Sequence, residues 1–183
     1  GWGDAHHTVV MGGSSGGFTA LGAVAAEPSH FAAAVVLYPV TDLADLAVRS
    51  HRFERHYTDS LIGPLPTTAS AYRERSPIEH ADRFATTPLL ILHGDGDPVV
   101  PVEQSSAFAE RMRAAGGQVE LHVYEGEGHG FRQRANQLDE YGRIASFLAR
   151  YVRSVFVVTD DWNPNDPDAS NVMYDLSRWS FDQ

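Results

Sequence analysis

Apolar residues fall into short runs and helical stripes that take turns along the chain. His7-Thr8-Val9-Val10-Met11 is a β-branched run stopped by Gly12-Gly13, which predicts a strand. After Ser14-Ser15-Gly16-Gly17, residues 18 to 27 are rich in Ala and Leu and are closed by Pro28, so a helix is expected. Residues 32 to 38 form a continuous apolar run ended by Pro39, and residues 88 to 93 form another; both read as buried strands. A helix is predicted from Val102 to Ala115, with Phe108, Met112 and Ala115 on one face and Gly116-Gly117 ending it. Residues 119 to 124 alternate as a strand does. From Gln133 to about Ser154, Leu138, Tyr141, Ala145, Leu148 and Val152 recur at three and four residues, the stripe of a closing amphipathic helix. Residues 41 to 84 have mixed polarity and carry the breakers Gly63-Pro64 and Pro66, so they predict a partly helical excursion over one end of the sheet.

Strands that are apolar throughout and separated by helices predict an α/β architecture, a mostly parallel sheet with helices on both faces. Ligands of such sheets sit beyond the carboxyl ends of the strands, where three glycine-punctuated loops of this chain fall. Residues 1 to 154 are expected to form this domain. From Val155 onward the pattern changes: six Asp face a single Arg, and Asn163-Pro164-Asn165-Asp166-Pro167-Asp168 suits neither helix nor central strand. Residues 155 to 183 therefore read as an acidic tail or flap. A calcium loop there would want Gly at 166 and Glu at 172, where Asp166 and Val172 stand.

Composition narrows the chemistry. The chain of 183 residues carries a formal charge of −10, which argues against a basic nucleic-acid face. All 14 basic residues are Arg, so Schiff-base lysines, Ser–Lys dyads and a Lys-bearing phosphate loop are excluded. Zero Cys excludes disulfides, thiolate nucleophiles and cysteine zinc sites. No metal-ligand spacing connects the His residues, and no cofactor site is expected. No apolar run reaches the length of a membrane span and no signal peptide is visible at the start of the sequence, so a cytoplasmic location is the expectation.

The three loops carry the residues of a catalytic triad. Gly12-Gly13-Ser14-Ser15-Gly16-Gly17 lies between a strand and a helix, the setting of a nucleophile elbow, and both Ser14 and Ser15 fit G-x-S-x-G. A Ser hydroxyl needs a His to take its proton and an acid to orient the imidazole, in the chain order Ser, acid, His. Asp97 follows a buried strand and His129 lies in the next glycine-rich loop, giving that order. Asp95 reads as a turn residue, and Asp42, just past another strand end, is an alternative acid.

Gly12-Gly13-Ser14-Ser15-Gly16-Gly17-Phe18, His93-Gly94-Asp95-Gly96-Asp97-Pro98-Val99-Val100-Pro101 and Glu125-Gly126-Glu127-Gly128-His129-Gly130-Phe131 together resemble the C-terminal catalytic domain of the prolyl oligopeptidase family of serine peptidases. The likeness is strongest to acylaminoacyl-peptidase and dipeptidyl-peptidase members, over about residues 5 to 153. It implies an α/β-hydrolase fold with Ser14 as nucleophile, Asp97 as acid and His129 as base. Ser15 then supplies a backbone N–H to the oxyanion hole. The family has further strands before its elbow, whereas 13 residues precede Ser14, so the chain is expected to hold the C-terminal part of the fold. The expected substrate is a peptide or an ester, and self-association or pairing with an upstream portion is the expected protein contact. A catalytically silent remnant serving as an interaction module is the alternative from another class.

Overall fold

The structure is a computed structural model and describes residues 7–49, 59, 60 and 62–152. The acidic segment 155–183 lies outside the described residues. Four strands, β1 (Val9–Gly13), β2 (Ala33–Leu37), β3 (Leu89–Gly94) and β4 (Val119–Tyr124), pair side by side in sequence order, all parallel. Between them run α1 (Ser15–Ala26), then α2 (Leu43–Arg49), α3 (Ala69–Arg75) and a 3-10 segment, Pro77–Phe84, then α4 (Val102–Ala114). Helix α5 (Arg134–Tyr151) closes the described part.

β2 and β3 are buried along their whole length, which is why they read as unbroken apolar runs. Their side chains alternate between two cores. Ala34, Val36, Leu89 and Ile91 meet Leu21 and Val24 of α1, Phe84 of the 3-10 segment, and Phe108 and Met112 of α4. Ala33, Val35, Leu37, Leu90 and Leu92 meet Ile144 and Phe147 of α5 on the opposite face, so helices do cover both sides. Each Val, Leu, Ile, Phe or Met among them contributes about 1.5–3 kcal/mol by leaving water. β1 and β4 are the edges of this sheet among the described residues, and they are only partly buried.

Two boundaries differ from the sequence expectation. β1 runs on through Gly12 and Gly13, because both glycines pair with Val36 and Leu37 of β2. α1 begins at Ser15 rather than near Phe18, so only Ser14 separates strand from helix. The excursion between β2 and β3 is helical in pieces, as expected, and packs a third small core of Val40, Leu43, Tyr72 and Val100.

The register fixes where the chemistry lies. Gly13 is level with Leu37, Leu37 with Leu92, and Gly94 with Tyr124, so the four strands end along one rim. Ser14, Tyr38, the loop from Asp95 to Pro101 and the loop from Glu125 to Gln133 all leave the sheet there.

Candidate active site

Ser14 links β1 to α1 in one residue, and the turn is sharp. Its backbone sits at φ 55° and ψ −122°, a conformation that L residues avoid. Its N–H donates to the Leu37 carbonyl at 2.9 Å and its carbonyl accepts from Phe18 N–H at 3.0 Å, which holds the strained residue from both sides. The turn has no room for side chains at two of the neighbouring glycines. A Cβ on Gly12 would lie 2.3 Å from the Gly16 carbonyl oxygen, and one on Gly17 would lie 2.9 Å from Pro39. Gly16 itself faces open space, so of the two glycines that bracket Ser14 in G-x-S-x-G only the first is sterically required.

The strain aims the hydroxyl. Ser14 Oγ lies 2.8 Å from His129 Nε2, and His129 Nδ1 lies 2.7 Å from Asp97 Oδ2. A carboxylate only accepts, so Nδ1 carries the imidazole proton and donates it to Asp97; Nε2 then accepts from the Ser14 hydroxyl. The structure therefore brings Ser14, His129 and Asp97 into one hydrogen-bonded chain. Ser15 opens α1 and is exposed, at the helix end where the first N–H groups have no intrahelical acceptor.

Asp97 is 8% exposed and is held on every side. Its Oδ1 accepts from Val99 N–H at 2.8 Å and Val100 N–H at 2.9 Å. Its Oδ2 also lies 3.3 Å from Nε2 of the fully buried His93. That imidazole donates from Nε2 toward the Val100 carbonyl at 2.9 Å and accepts at Nδ1 from Ser105 Oγ at 2.7 Å. Burial pushes the Asp97 carboxyl up, but the hydrogen bonds from His129, His93, Val100 and Val99 outweigh it. The group is held well below the usual carboxylate range and stays ionised.

The His129 loop is fastened by residues whose role the sequence hid. Glu127, 2% exposed, accepts from Arg132 N–H and Gln133 N–H at 2.9 Å each, and from Asn136 Nδ2 at 2.9 Å. These bonds, led by that from Arg132, outweigh burial and keep its carboxyl below the usual range. Gly96 N–H donates to the Glu127 carbonyl at 2.9 Å and Gly126 N–H donates to Asp95 Oδ1 at 2.7 Å, so the Asp97 loop and the His129 loop are cross-tied. Asp95 is thus a tether between loops. Asp42 caps α2 through Ala44 N–H and Asp45 N–H, at 2.9 and 3.0 Å, and it is Asp97 that bonds His129. Glu127 stands two residues before His129 among glycines, and that placement was the only trace of it in the sequence.

Among the described residues no cluster of His, Asp or Glu suits a metal ion, and no helix is long and apolar enough to cross a membrane.

The fold and the sequence are similar to those of known proteins. A puromycin-hydrolysing peptidase from Mycobacterium tuberculosis, of known structure, is 37% identical and superposes with a TM-score of 0.78, over 82% of this chain and 22% of that one. Dipeptidyl peptidase family member 6 of Caenorhabditis elegans is 31% identical over 145 residues, 76% of this chain and 20% of the relative. The esterase LipC of Mycobacterium tuberculosis is 46% identical, but over 61 residues, 33% of this chain. The chain spans about a fifth of the length of its peptidase relatives and so covers part of the α/β-hydrolase fold. The profile of the prolyl oligopeptidase family matches residues 1–155, and the chain belongs to that family.

Proposed function

We propose that this chain carries the nucleophile, base and acid of a serine-type peptidase that works through an acyl-enzyme. The observation that supports this most directly is the unbroken run of hydrogen bonds from Ser14 Oγ through both nitrogens of His129 to Asp97. His129 takes the Ser14 proton as Oγ attacks the carbonyl carbon of the scissile bond. The oxyanion that forms lies at the start of α1, where Ser15 N–H donates to it and the helix dipole favours negative charge. His129 then gives its proton to the leaving amine. Water repeats the sequence on the acyl-enzyme, returning Ser14 and releasing the acid. Asp97, held ionised, keeps Nδ1 protonated and offsets the charge of the imidazolium.

The substrate class proposed is an aminoacyl or peptidyl amide. Support comes from the 37% identical neighbour, described as a puromycin-hydrolysing peptidase, and from the dipeptidyl peptidase relative. A carboxylesterase reading is favoured by one observation, the esterase match, which covers only a third of the chain. The two readings are separated by measuring kcat/KM for an aminoacyl anilide and for the matching ester of the same acyl group. Turnover of the anilide that disappears in Ser14→Ala is the expected result. Ester turnover with no anilide cleavage would replace the peptidase reading by the esterase one.

A further inference from the structure

Two non-glycine residues described here have a left-handed backbone, Ser14 at φ 55° and Tyr38 at φ 38°. Strain of this kind persists only where the surroundings impose it. At Ser14 the turn explains it. Tyr38 follows β2 with its N–H bonded to the Leu92 carbonyl at 2.7 Å, so the ladder continues through it while its backbone bends away. The bend places the phenol ring against His129, ring centroids 4.6 Å apart and planes at 55°.

The ring is wedged there. Its Cε2, Cζ and Oη atoms stand 3.2–3.3 Å from where a Cβ on Gly13 would be, so the bare backbone beside Ser14 makes its space. Phe131 meets it edge-on at 5.8 Å, and Phe131 in turn packs on Tyr124 at 4.5 Å. Burial, then the fields of Glu140 and Asp97, push the Tyr38 hydroxyl above its ordinary value, so the phenol is neutral. The charged or titratable groups around the ring pair are Ser14 on the elbow, Asp97 on the loop after β3, and Glu140 on α5.

We infer that Tyr38 is a positioning residue for His129: its ring backs the imidazole so that Nε2 stays on Ser14 and Nδ1 on Asp97, and its π face stabilises the imidazolium that forms when Ser14 attacks. A cation within about 6 Å of an aromatic centroid is attracted by the ring's quadrupole, more strongly where water is excluded. This rests on the reading of His129 as the base, and it adds a residue that none of the three triad loops contains. Aromatic character is what matters in this account, not the hydroxyl.

The test compares Tyr38→Phe, Tyr38→Leu and Tyr38→Gly in the full chain. Glycine adopts a positive φ without strain, so Tyr38→Gly cannot fail through the backbone. Two readouts are taken: the rate of labelling by a fluorophosphonate, and the NMR titration midpoint of the His129 ring. Tyr38→Phe is expected to match the parent. Tyr38→Leu and Tyr38→Gly are expected to label roughly three- to tenfold more slowly and to titrate roughly half a pH unit lower. An unchanged midpoint in both, with or without slower labelling, would overturn the proposal, and so would Tyr38→Phe behaving like Tyr38→Leu. A parent chain that is folded but unlabelled would count against the peptidase reading, while the midpoint difference would still decide the role of Tyr38.

Discussion

The Asp97 end and the Ser14 end of the hydrogen-bonded chain are built in different ways. Asp97 sits behind β3, a strand buried along its whole length, and is fixed by two backbone N–H groups and two imidazoles. Ser14 sits at the tip of β1, an edge of the sheet among the described residues, whose Met11 is 52% exposed, and is fixed by backbone strain and missing side chains. One end relies on polar groups satisfied inside the protein. The other relies on sterics, a turn that exists because Cβ atoms are absent at Gly12 and Gly17. Substitutions at the two ends should therefore fail differently: loss of a hydrogen bond at the Asp97 end spoils chemistry first, and an added methyl at the Ser14 end spoils structure first.

The largest effect is expected at Asp97. Asp97→Asn keeps the shape but offers His129 Nδ1 an amide, which permits the wrong tautomer; the rate of fluorophosphonate labelling should fall about 10⁴-fold while the chain stays folded by circular dichroism. A rate close to the parent's would mean that Asp97 does not orient the base. At the other end, Gly12→Ala puts a methyl against the Gly16 carbonyl and should lower stability by about 1–3 kcal/mol in urea unfolding. Gly16→Ala is its matched control, because nothing lies within 4 Å of that Cβ; it should leave stability unchanged or raise it by up to ~1 kcal/mol. Equal destabilisation by the two would refute the steric account of the elbow.

The smallest effect concerns pH. The folded-state value of Asp97 is depressed below the ordinary carboxylate value of 3.8, so its contribution to stability is complete above that value. It is lost as pH falls further, through the folded-state value. The parent should lose stability on acidification below about pH 4 more steeply than Asp97→Asn does, measured by urea midpoints at a series of pH values. Parallel curves would show that the carboxylate is not stabilised by its hydrogen bonds.

Much of this is legible in the sequence. β2 and β3 were plain because strands covered on both faces are continuously apolar, and β4 matched its expected span from Val119 to Tyr124. Ser14, Asp97 and His129 stood out because glycine punctuates the loops where strand ends must turn. The spacing leaves Ser14 and Ser15 open, since both satisfy it, and the family resemblance is what points to Ser14; in the structure Ser14 takes the strained turn and Ser15 opens the helix. The supporting residues were hidden for another reason. Glu127, His93 and Tyr38 act through contacts made across the fold, and a sequence has no periodicity that reports a carboxylate gathering N–H groups or a ring lying on an imidazole. His93 belongs to no metal-ligand spacing in the sequence, and in the fold it is fully buried and bonded at both nitrogens.

The central claim, that Ser14 is a nucleophile activated by His129, is tested most directly by reacting the folded chain with a fluorophosphonate and locating the adduct by peptide mass spectrometry. The account predicts one phosphonyl group, on Ser14, present in Ser15→Ala and absent from Ser14→Ala. An adduct on Ser15, or none at all on a chain that remains folded, would contradict it.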